Sequence, residues 1–463
     1  MPRTIPPNSA RVRMYRQGLG DCLLVTLPGE SGRSFQMLID CGLHMGAPNE
    51  AEVMERVARD VAATTGGRLD VVVVSHDHWS QVSGFHLARR VFDDIVIGEV
   101  WFGWVEDPAD PHAASFAVGR DRELRGLRTL ANRLAHASPG DNKERSMTAR
   151  FNVPLGLFGP RDGAFGRRVI AYLKDHPSGP RVRYLRAGGP VIRLSGSARA
   201  SAYVLNPSTE MAAPVANSST SLALFAAAVG PSGGEAEDKL QSDAFDARYR
   251  LSLDRAKRVP FFRRRYFADS KSWRRVDQDW MAAGAPLALK LDGHCDGLSL
   301  ALAIEVEPGG AVLLFPGDAQ TGEWAAWSRL RWNAGGRGDP PLTGAELLAR
   351  AVLYRVGHHG AASAGPGSEG LRLLTHPDLV ALLAVDQEYA ETAGGEAGAK
   401  SGWRLPDPAL VDQLLRVSRG RLLRSDRPFP ERSEYASAGE WRRFRESVVF
   451  DPDGLFIDVH LGR

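Results

Sequence analysis

The sequence lacks several features that would each point to a particular class of protein. Its three cysteines, Cys22, Cys41 and Cys295, include no Cys-x-x-Cys pair, which argues against a disulfide framework and against a cysteine-ligated zinc cluster. No apolar run reaches the length of about 18 residues that a membrane span requires. Residues 1–10 contain prolines but no apolar segment, so we expect no signal peptide. Together these absences predict a cytoplasmic protein without a membrane partner.

Charge of one sign is also missing. Lysine and arginine number 58 and the acidic residues 55, so the net charge is only +3. The sequence as a whole therefore has no signature of nucleic-acid or membrane binding, and any basic surface must be local. Hydrophobic residues make up 43% of the 463 residues, enough for a large core. The length is typical of two or three domains, or of one large domain with insertions.

The most informative pattern lies in residues 69–84. The apolar run of residues 69–74 contains a single aspartate and predicts a strand buried on both faces. A polar turn follows, and it contains His76 and His78. At this spacing, just after a strand, both imidazoles can point into one pocket, where sheets of α/β proteins usually place their chemistry.

Further polar residues follow other apolar strands. Asp40 ends the predicted strand 35–41, and Asp318 follows a hairpin predicted over residues 298–315. His358 and His359 follow an apolar segment over residues 347–354. Each of these side chains lies where a predicted apolar strand ends, as His76 and His78 do. Helices are expected over residues 49–65, 85–91, 117–137 and 408–417.

These motifs, in this order and after a Gly-x-Gly-Asp turn at residues 18–21, resemble the metallo-β-lactamase superfamily. The similarity is greatest to the nuclease branch related to competence DNA-uptake proteins. It implies an α/β protein with an αββα sandwich. Residues 1–207 would form the first half, residues 208–288 a partly flexible and locally basic insertion, and residues 289–463 the second half with a C-terminal helix and tail.

The resemblance also implies a metal site, although an incomplete one. The family motif reads His-x-His-x-Asp-His, so His76 and His78 match while Ser80 and Gln81 replace the aspartate and the last histidine. Carried over, His76, His78 and Asp318 would bind a first ion. Asp318 and one of the two histidines His358 and His359 would remain for a second ion, and Asp40 would organise the site through hydrogen bonds.

Ser80 and Gln81 are poor ligands, because zinc prefers thiolate, imidazole and carboxylate groups. We therefore expect at most one ion, zinc or manganese, or none at all. The loop after Trp104 offers Glu106, Asp107 and His112 as a third ligand for the first ion, although an ordinary role in a solvated loop is the better interpretation for each.

The incomplete metal motif is compatible with two functions. The first is a catalytically impaired binding or regulatory subunit of phosphodiesterase or nuclease ancestry, and the second is an active phosphodiesterase or nuclease with a single metal ion. A purely structural partner in a larger assembly is a weaker third. The segment 255–275 interleaves aromatic residues with arginines, among them Arg263, Arg264 and Arg265. It predicts either a nucleic-acid contact or, the interpretation we favour, an amphipathic helix whose aromatic residues pack inward.

Overall fold

The computed structural model describes residues 9–137, 165–209, 251, 253–268, 270–271, 293–333, 340–362, 365–392 and 403–462. Most of the expected insertion at residues 208–288 lies outside these ranges. Its described part contains two short helices, α6 (Leu253–Arg258) and α7 (Pro260–Arg265).

Apolar segments of the N-terminal half and of the C-terminus build an eight-stranded sheet with the order β16-β17-β1-β2-β3-β4-β5-β6. The neighbours β3, β4, β5 and β6 are parallel, and the other pairs are antiparallel. The strands are β1 (Ala10–Tyr15), β2 (Cys22–Leu27), β3 (Phe35–Cys41), β4 (Arg68–Val73), β5 (Val96–Gly103), β6 (Arg181–Leu185), β16 (Val448–Phe450) and β17 (Phe456–Leu461).

A second sheet has seven strands in the order β15-β14-β13-β10-β9-β8-β7, and β11 and β12 form a separate pair. The expected hairpin over residues 298–315 is present, with β9 antiparallel to β10. The strands are β7 (Ile192–Arg193), β8 (Ser201–Asn206), β9 (Ala301–Glu305), β10 (Val312–Phe315), β11 (Arg331–Trp332), β12 (Leu342–Thr343), β13 (Ala351–Arg355), β14 (Val380–Leu383) and β15 (Leu422–Arg424).

The helices pack on these sheets through apolar faces. In α1 (Glu50–Thr65), for example, Met54, Val57, Ala58 and Val61 are buried, and Gly66 ends the helix with a left-handed backbone (φ 65°), as glycine allows without strain. Further helices are α2 (Trp79–Leu87), α3 (Arg89–Phe92), α4 (Pro111–Ala137), α5 (Phe165–Lys174), α8 (Thr321–Trp327), α9 (Gly344–Ala349), α10 (Gly367–Leu371), α11 (Gln387–Thr392), α12 (Pro408–Val417) and α13 (Ala438–Ser447).

The buried residues form three apolar clusters. One cluster combines residues of both large sheets, such as Val73 of the first and Leu313 of the second. Another joins the first sheet to α1, α2 and α5, and the third joins the second sheet to α8, α9 and α12. The prediction of a mixed α/β protein is confirmed.

The expected helices over residues 49–65, 117–137 and 408–417 are confirmed as α1, α4 and α12. The helix expected over residues 85–91 is instead two helices, α2 and α3, and α2 begins earlier, at Trp79. The first turns of α2 bury the polar residues Ser80, Gln81 and Ser83, so no amphipathic pattern in the sequence indicates this start. None of the helices among the described residues has the length and the apolar character needed to cross a membrane.

Candidate metal centre

The strand order brings several loops to one edge of the two sheets. β3, β4 and β5 are parallel neighbours, with Ile39 opposite Val73 and Val73 opposite Trp101, so the loops that follow them emerge together. In the second sheet β10 and β13 are parallel, and β9 is antiparallel to β10. The start of β9 therefore lies beside the ends of β10 and β13.

Asp40 fixes the first of these loops. Its Oδ1 accepts a hydrogen bond of 2.7 Å from the backbone N–H of Ser75, the residue before His76, as expected of an organising residue. Its backbone is left-handed, with φ 55°, a conformation that aspartate tolerates better than most residues. Burial raises the pKa of the Asp40 carboxyl to about 8, so this group is mostly protonated at neutral pH.

Two imidazoles and one carboxylate meet above this loop. His76 Nε2 lies 2.9 Å from His78 Nδ1, and Asp296 Oδ1 lies 3.6 Å from the former and 3.4 Å from the latter. Tetrahedral zinc with bonds of about 2.0–2.1 Å places its ligand atoms roughly 3.3 Å apart. The three atoms therefore have the spacing of one face of a metal site, and these residues could hold an ion.

A second group shares the same aspartate. His358 Nδ1 lies 3.1 Å from Asp296 Oδ2, and Asp318 Oδ2 lies 3.7 Å from His76 Nε2. Asp296, Asp318 and His358 could likewise hold an ion. The structure thus brings together four of the five predicted metal residues, with Asp296 at their centre.

The fifth, His359, belongs to neither group. Its Nδ1–H donates to the carbonyl oxygen of Ala384 at 2.9 Å, and burial lowers its pKa well below the usual value. His358 and His359 both have left-handed backbones, with φ 44° and 52°. This turn directs the first imidazole to Asp296 and the second toward the strand end of β14.

The electrostatics of the first group suit a metal ion. Burial lowers the pKa of His76 and of His78 to about 3, so both imidazoles are neutral and keep a lone pair. Burial raises the pKa of Asp296 to about 6, while His358 opposes this shift, so the carboxylate is ionised at neutral pH. No described residue donates a well-aligned hydrogen bond to either of its buried oxygens. A buried anion without donors is costly unless a cation accompanies it.

The far side of the His76 ring is held by hydroxyl groups. Its Nδ1 lies 3.0 Å from Ser75 Oγ and 3.2 Å from Ser299 Oγ. Such partners fix the orientation of a metal-binding histidine and leave its other nitrogen for the ion. The residues present therefore fit a metal ion in chemistry, charge and spacing.

Ser80 and Gln81 take part in a different network. Gln81 Nε2 donates to Asp21 Oδ2 at 3.1 Å and to Asp318 Oδ2 at 3.0 Å, and Ser80 Oγ donates to Gln81 Oε1 at 2.5 Å. The guanidinium of Arg355 joins the same two carboxylates. It donates to Asp318 Oδ1 at 2.9 Å and to both oxygens of Asp21.

This guanidinium is fully enclosed, with only 3% of Arg355 exposed. Burial lowers its pKa to about 9, which leaves it protonated at neutral pH. The two carboxylates, the carboxamide and the guanidinium thus satisfy one another's hydrogen bonds without any further cation.

The sequence predicts no role in the site for Asp296 or Arg355, and it marks Asp21 only as part of a turn. Asp296 and Arg355 each carry a weak signal: Asp296 lies in a polar stretch, helical over residues 293–297, shortly before β9, and Arg355 is the one charged residue of the apolar strand β13. The loop after β5 supplies no ligand to either group. Glu106 lies 4.0 Å from Arg120, Asp107 accepts the N–H of Ala109 in a turn, and His112 is exposed at the start of α4.

Comparisons with models of known protein families, with curated proteins and with solved structures give no match for this chain.

Proposed function

We propose that the chain is a metallo-β-lactamase-type αββα protein that holds one divalent ion, zinc or manganese, and that has lost the site for a second ion. The apolar clusters support the layering, because one lies between the sheets and the others join each sheet to its own helices. The order of the strand-end motifs, His76 and His78, then Asp318, then His358, supports the relationship.

The buried carboxylate of Asp296 is the observation that carries this proposal. It faces three imidazole nitrogens, those of His76, His78 and His358, at 3.1–3.6 Å. His76, His78 and Asp296 would hold the ion, with Asp318 and His358 beside them. An ion bound there would supply Lewis-acid chemistry to a phosphorus or carbonyl centre. The residues themselves provide neutral nitrogen donors, a negative charge and an orientation fixed by Ser75 and Ser299.

The work of the protein is then that of a binding or regulatory subunit with phosphodiesterase or nuclease ancestry. Two-ion hydrolysis needs a second cation that can contact the reacting group. At this position the chain has Ser80 and Gln81. Their side chains hydrogen-bond to each other, and Gln81 also donates to Asp21 and Asp318. The three cysteines are all described and form no disulfide, which fits a reducing compartment such as the cytoplasm.

A phosphodiesterase with a single ion is the second candidate, and a cavity beside the ligands favours it. The residues that line the cavity include His76, Asp77, Glu106, Arg120 and Cys295. Arg120 is buried and donates to Asp77 at 3.0 Å. The cavity has a volume of about 20 Å³, room for one water molecule, which is the nucleophile that a single-ion hydrolase needs beside its metal group.

Metal analysis followed by an activity assay separates the two candidates. We expect one equivalent of zinc or manganese per chain after dialysis against either ion, and no hydrolysis of bis-p-nitrophenyl phosphate. Hydrolysis that disappears in His76→Ala would establish the single-ion enzyme instead. Two equivalents per chain, or none, would refute the one-ion proposal.

A nucleic-acid partner would bind through α7. Arg263, Arg264 and Arg265 are exposed, and Phe261 keeps 57% of its surface exposed, so this aromatic ring does not pack inward among the described residues. Basic and aromatic residues on one short helix match the needs of single-stranded nucleic acid. Reversing the three charges should weaken binding of a single-stranded DNA oligonucleotide and reduce its salt dependence. Unchanged binding and salt dependence would exclude α7 as the contact.

A further inference from the structure

The buried cation Arg355 lies between two carboxylates that no other charged side chain of the described residues neutralises. Its guanidinium contacts Asp21 through two nitrogens and Asp318 through a third. Gln81 bridges the same pair of carboxylates from another direction, at 3.1 and 3.0 Å. The family resemblance expects a metal-binding histidine at the position of Gln81. Arg355 binds two carboxylates beside this position and so supplies the positive charge that a second ion would supply.

The hydrogen bonds of Asp318 show the consequence for the first ion. Its Oδ1 accepts from Arg355 Nη1 at 2.9 Å and from the backbone N–H of His358 at 2.8 Å, and its Oδ2 accepts from Gln81 at 3.0 Å. Both oxygens are therefore engaged with protein donors. Asp296, only a few ångströms away, accepts no well-aligned hydrogen bond from a described residue. Of the two carboxylates, Asp296 is the one whose lone pairs are available.

We propose that the Arg355 guanidinium is a permanent replacement for the second metal ion, and that it limits the chain to one ion by holding Asp318 and leaving Asp296 as the metal carboxylate. This inference rests on the proposed one-ion site. It extends that proposal by assigning the loss of the second ion to a cation supplied by the chain, in addition to the missing ligands at Ser80 and Gln81.

The test restores the missing ligands with and without the guanidinium. Ser80→Asp with Gln81→His supplies the two absent ligand types, but we expect this pair still to bind one zinc ion, because Arg355 remains in place. Adding Arg355→Met should raise the content to two zinc ions per chain, measured by mass spectrometry of the metal after gel filtration. The matched control adds Arg13→Met instead. Arg13 of β1 is also a buried arginine, paired with Asp458 of β17 at 2.8 Å, and its loss should leave the content at one.

Each outcome bears on the inference. Two zinc ions in the Ser80→Asp, Gln81→His pair would overturn it, since the guanidinium would then exclude nothing. One ion in the variant that also carries Arg355→Met would overturn it as well. If this variant folds only when refolded with excess zinc and then holds two ions, the inference is supported, and failure to fold with zinc would contradict it.

The wild-type protein separates this inference from the proposed function. A wild-type chain without any zinc would refute the one-ion site alone. The role of Arg355 would still be judged by whether its replacement adds an ion to the Ser80→Asp, Gln81→His pair. Two ions in the wild-type chain would refute both.

Discussion

The centre consists of two halves that treat buried charge in opposite ways. In the imidazole half, formed by His76, His78, Asp296 and His358, the carboxylate has three imidazole nitrogens at 3.1–3.6 Å and accepts no well-aligned hydrogen bond from a described residue. In the guanidinium half, formed by Asp21, Ser80, Gln81, Asp318 and Arg355, every carboxylate oxygen accepts from a protein donor. Only the first half requires something that the described chain does not provide, so it is the half that we propose as the metal site.

The charges of the two halves lead to the same conclusion. The guanidinium half contains one cation and two carboxylates, and the imidazole half contains one carboxylate beside the neutral imidazoles of His76 and His78. One divalent ion would balance this excess of negative charge, whereas two would overshoot it. Because uncompensated buried charge is strongly destabilising, the arrangement favours a single ion.

The largest effect is expected from removing the carboxylate of the imidazole half. Asp296→Ala should weaken zinc binding by more than about 100-fold, because loss of a direct ligand exceeds the roughly 10–100-fold typical of groups that only orient ligands. Isothermal titration with zinc after chelation measures this change. The control is Asp60→Ala, a carboxylate on α1 that accepts from Tyr15 and Arg13, and it should leave zinc affinity unchanged. Unaltered affinity in Asp296→Ala would mean that Asp318 carries the ion and that the two halves are not distinct.

The next prediction concerns Asp40, the buried carboxyl that accepts a hydrogen bond from Ser75 in the loop before His76. Burial raises the pKa of Asp40 from 3.8 to about 8, so between these values the folded chain holds a proton that the unfolded chain has released. Stability of the metal-free protein therefore falls as pH rises through this window. From pH 6 to pH 8 this carboxyl should cost about 2 kcal/mol.

Asp40→Asn should remove that cost. Asparagine tolerates the left-handed backbone at this position, and its side-chain oxygen can still accept from Ser75. Urea unfolding in the presence of a chelator at pH 6 and pH 8 gives the comparison. The variant should gain about 2 kcal/mol relative to wild type over this interval. The same change in both proteins would mean that Asp40 is already ionised in the folded state.

The sequence was sufficient for those residues of the centre that follow a local pattern. His76, His78, Asp318 and His358 come directly after apolar strands, and parallel strands bring such positions to one edge. Asp296 and Arg355 escaped detection because their roles depend on which side chains face each other across two sheets. The position of the C-terminal strand could not be predicted for the same reason. β17 pairs with β1, with Ala10 opposite Leu461, and no local pattern indicates so distant a partner.

The smallest effect should come from the hydroxyl groups behind His76. Ser299→Ala removes one of the two hydroxyls near Nδ1 and leaves Ser75, which lies closer, at 3.0 Å against 3.2 Å. We expect zinc affinity to fall by about 10-fold, the lower end of the range for groups that orient a ligand, with the content still one ion per chain. Ser83→Ala is the control, because this buried hydroxyl contacts the backbone of Leu43 and no metal residue. A loss as large as that of Asp296→Ala would show that the orientation of His76, rather than the charge of Asp296, decides whether the imidazole half binds an ion.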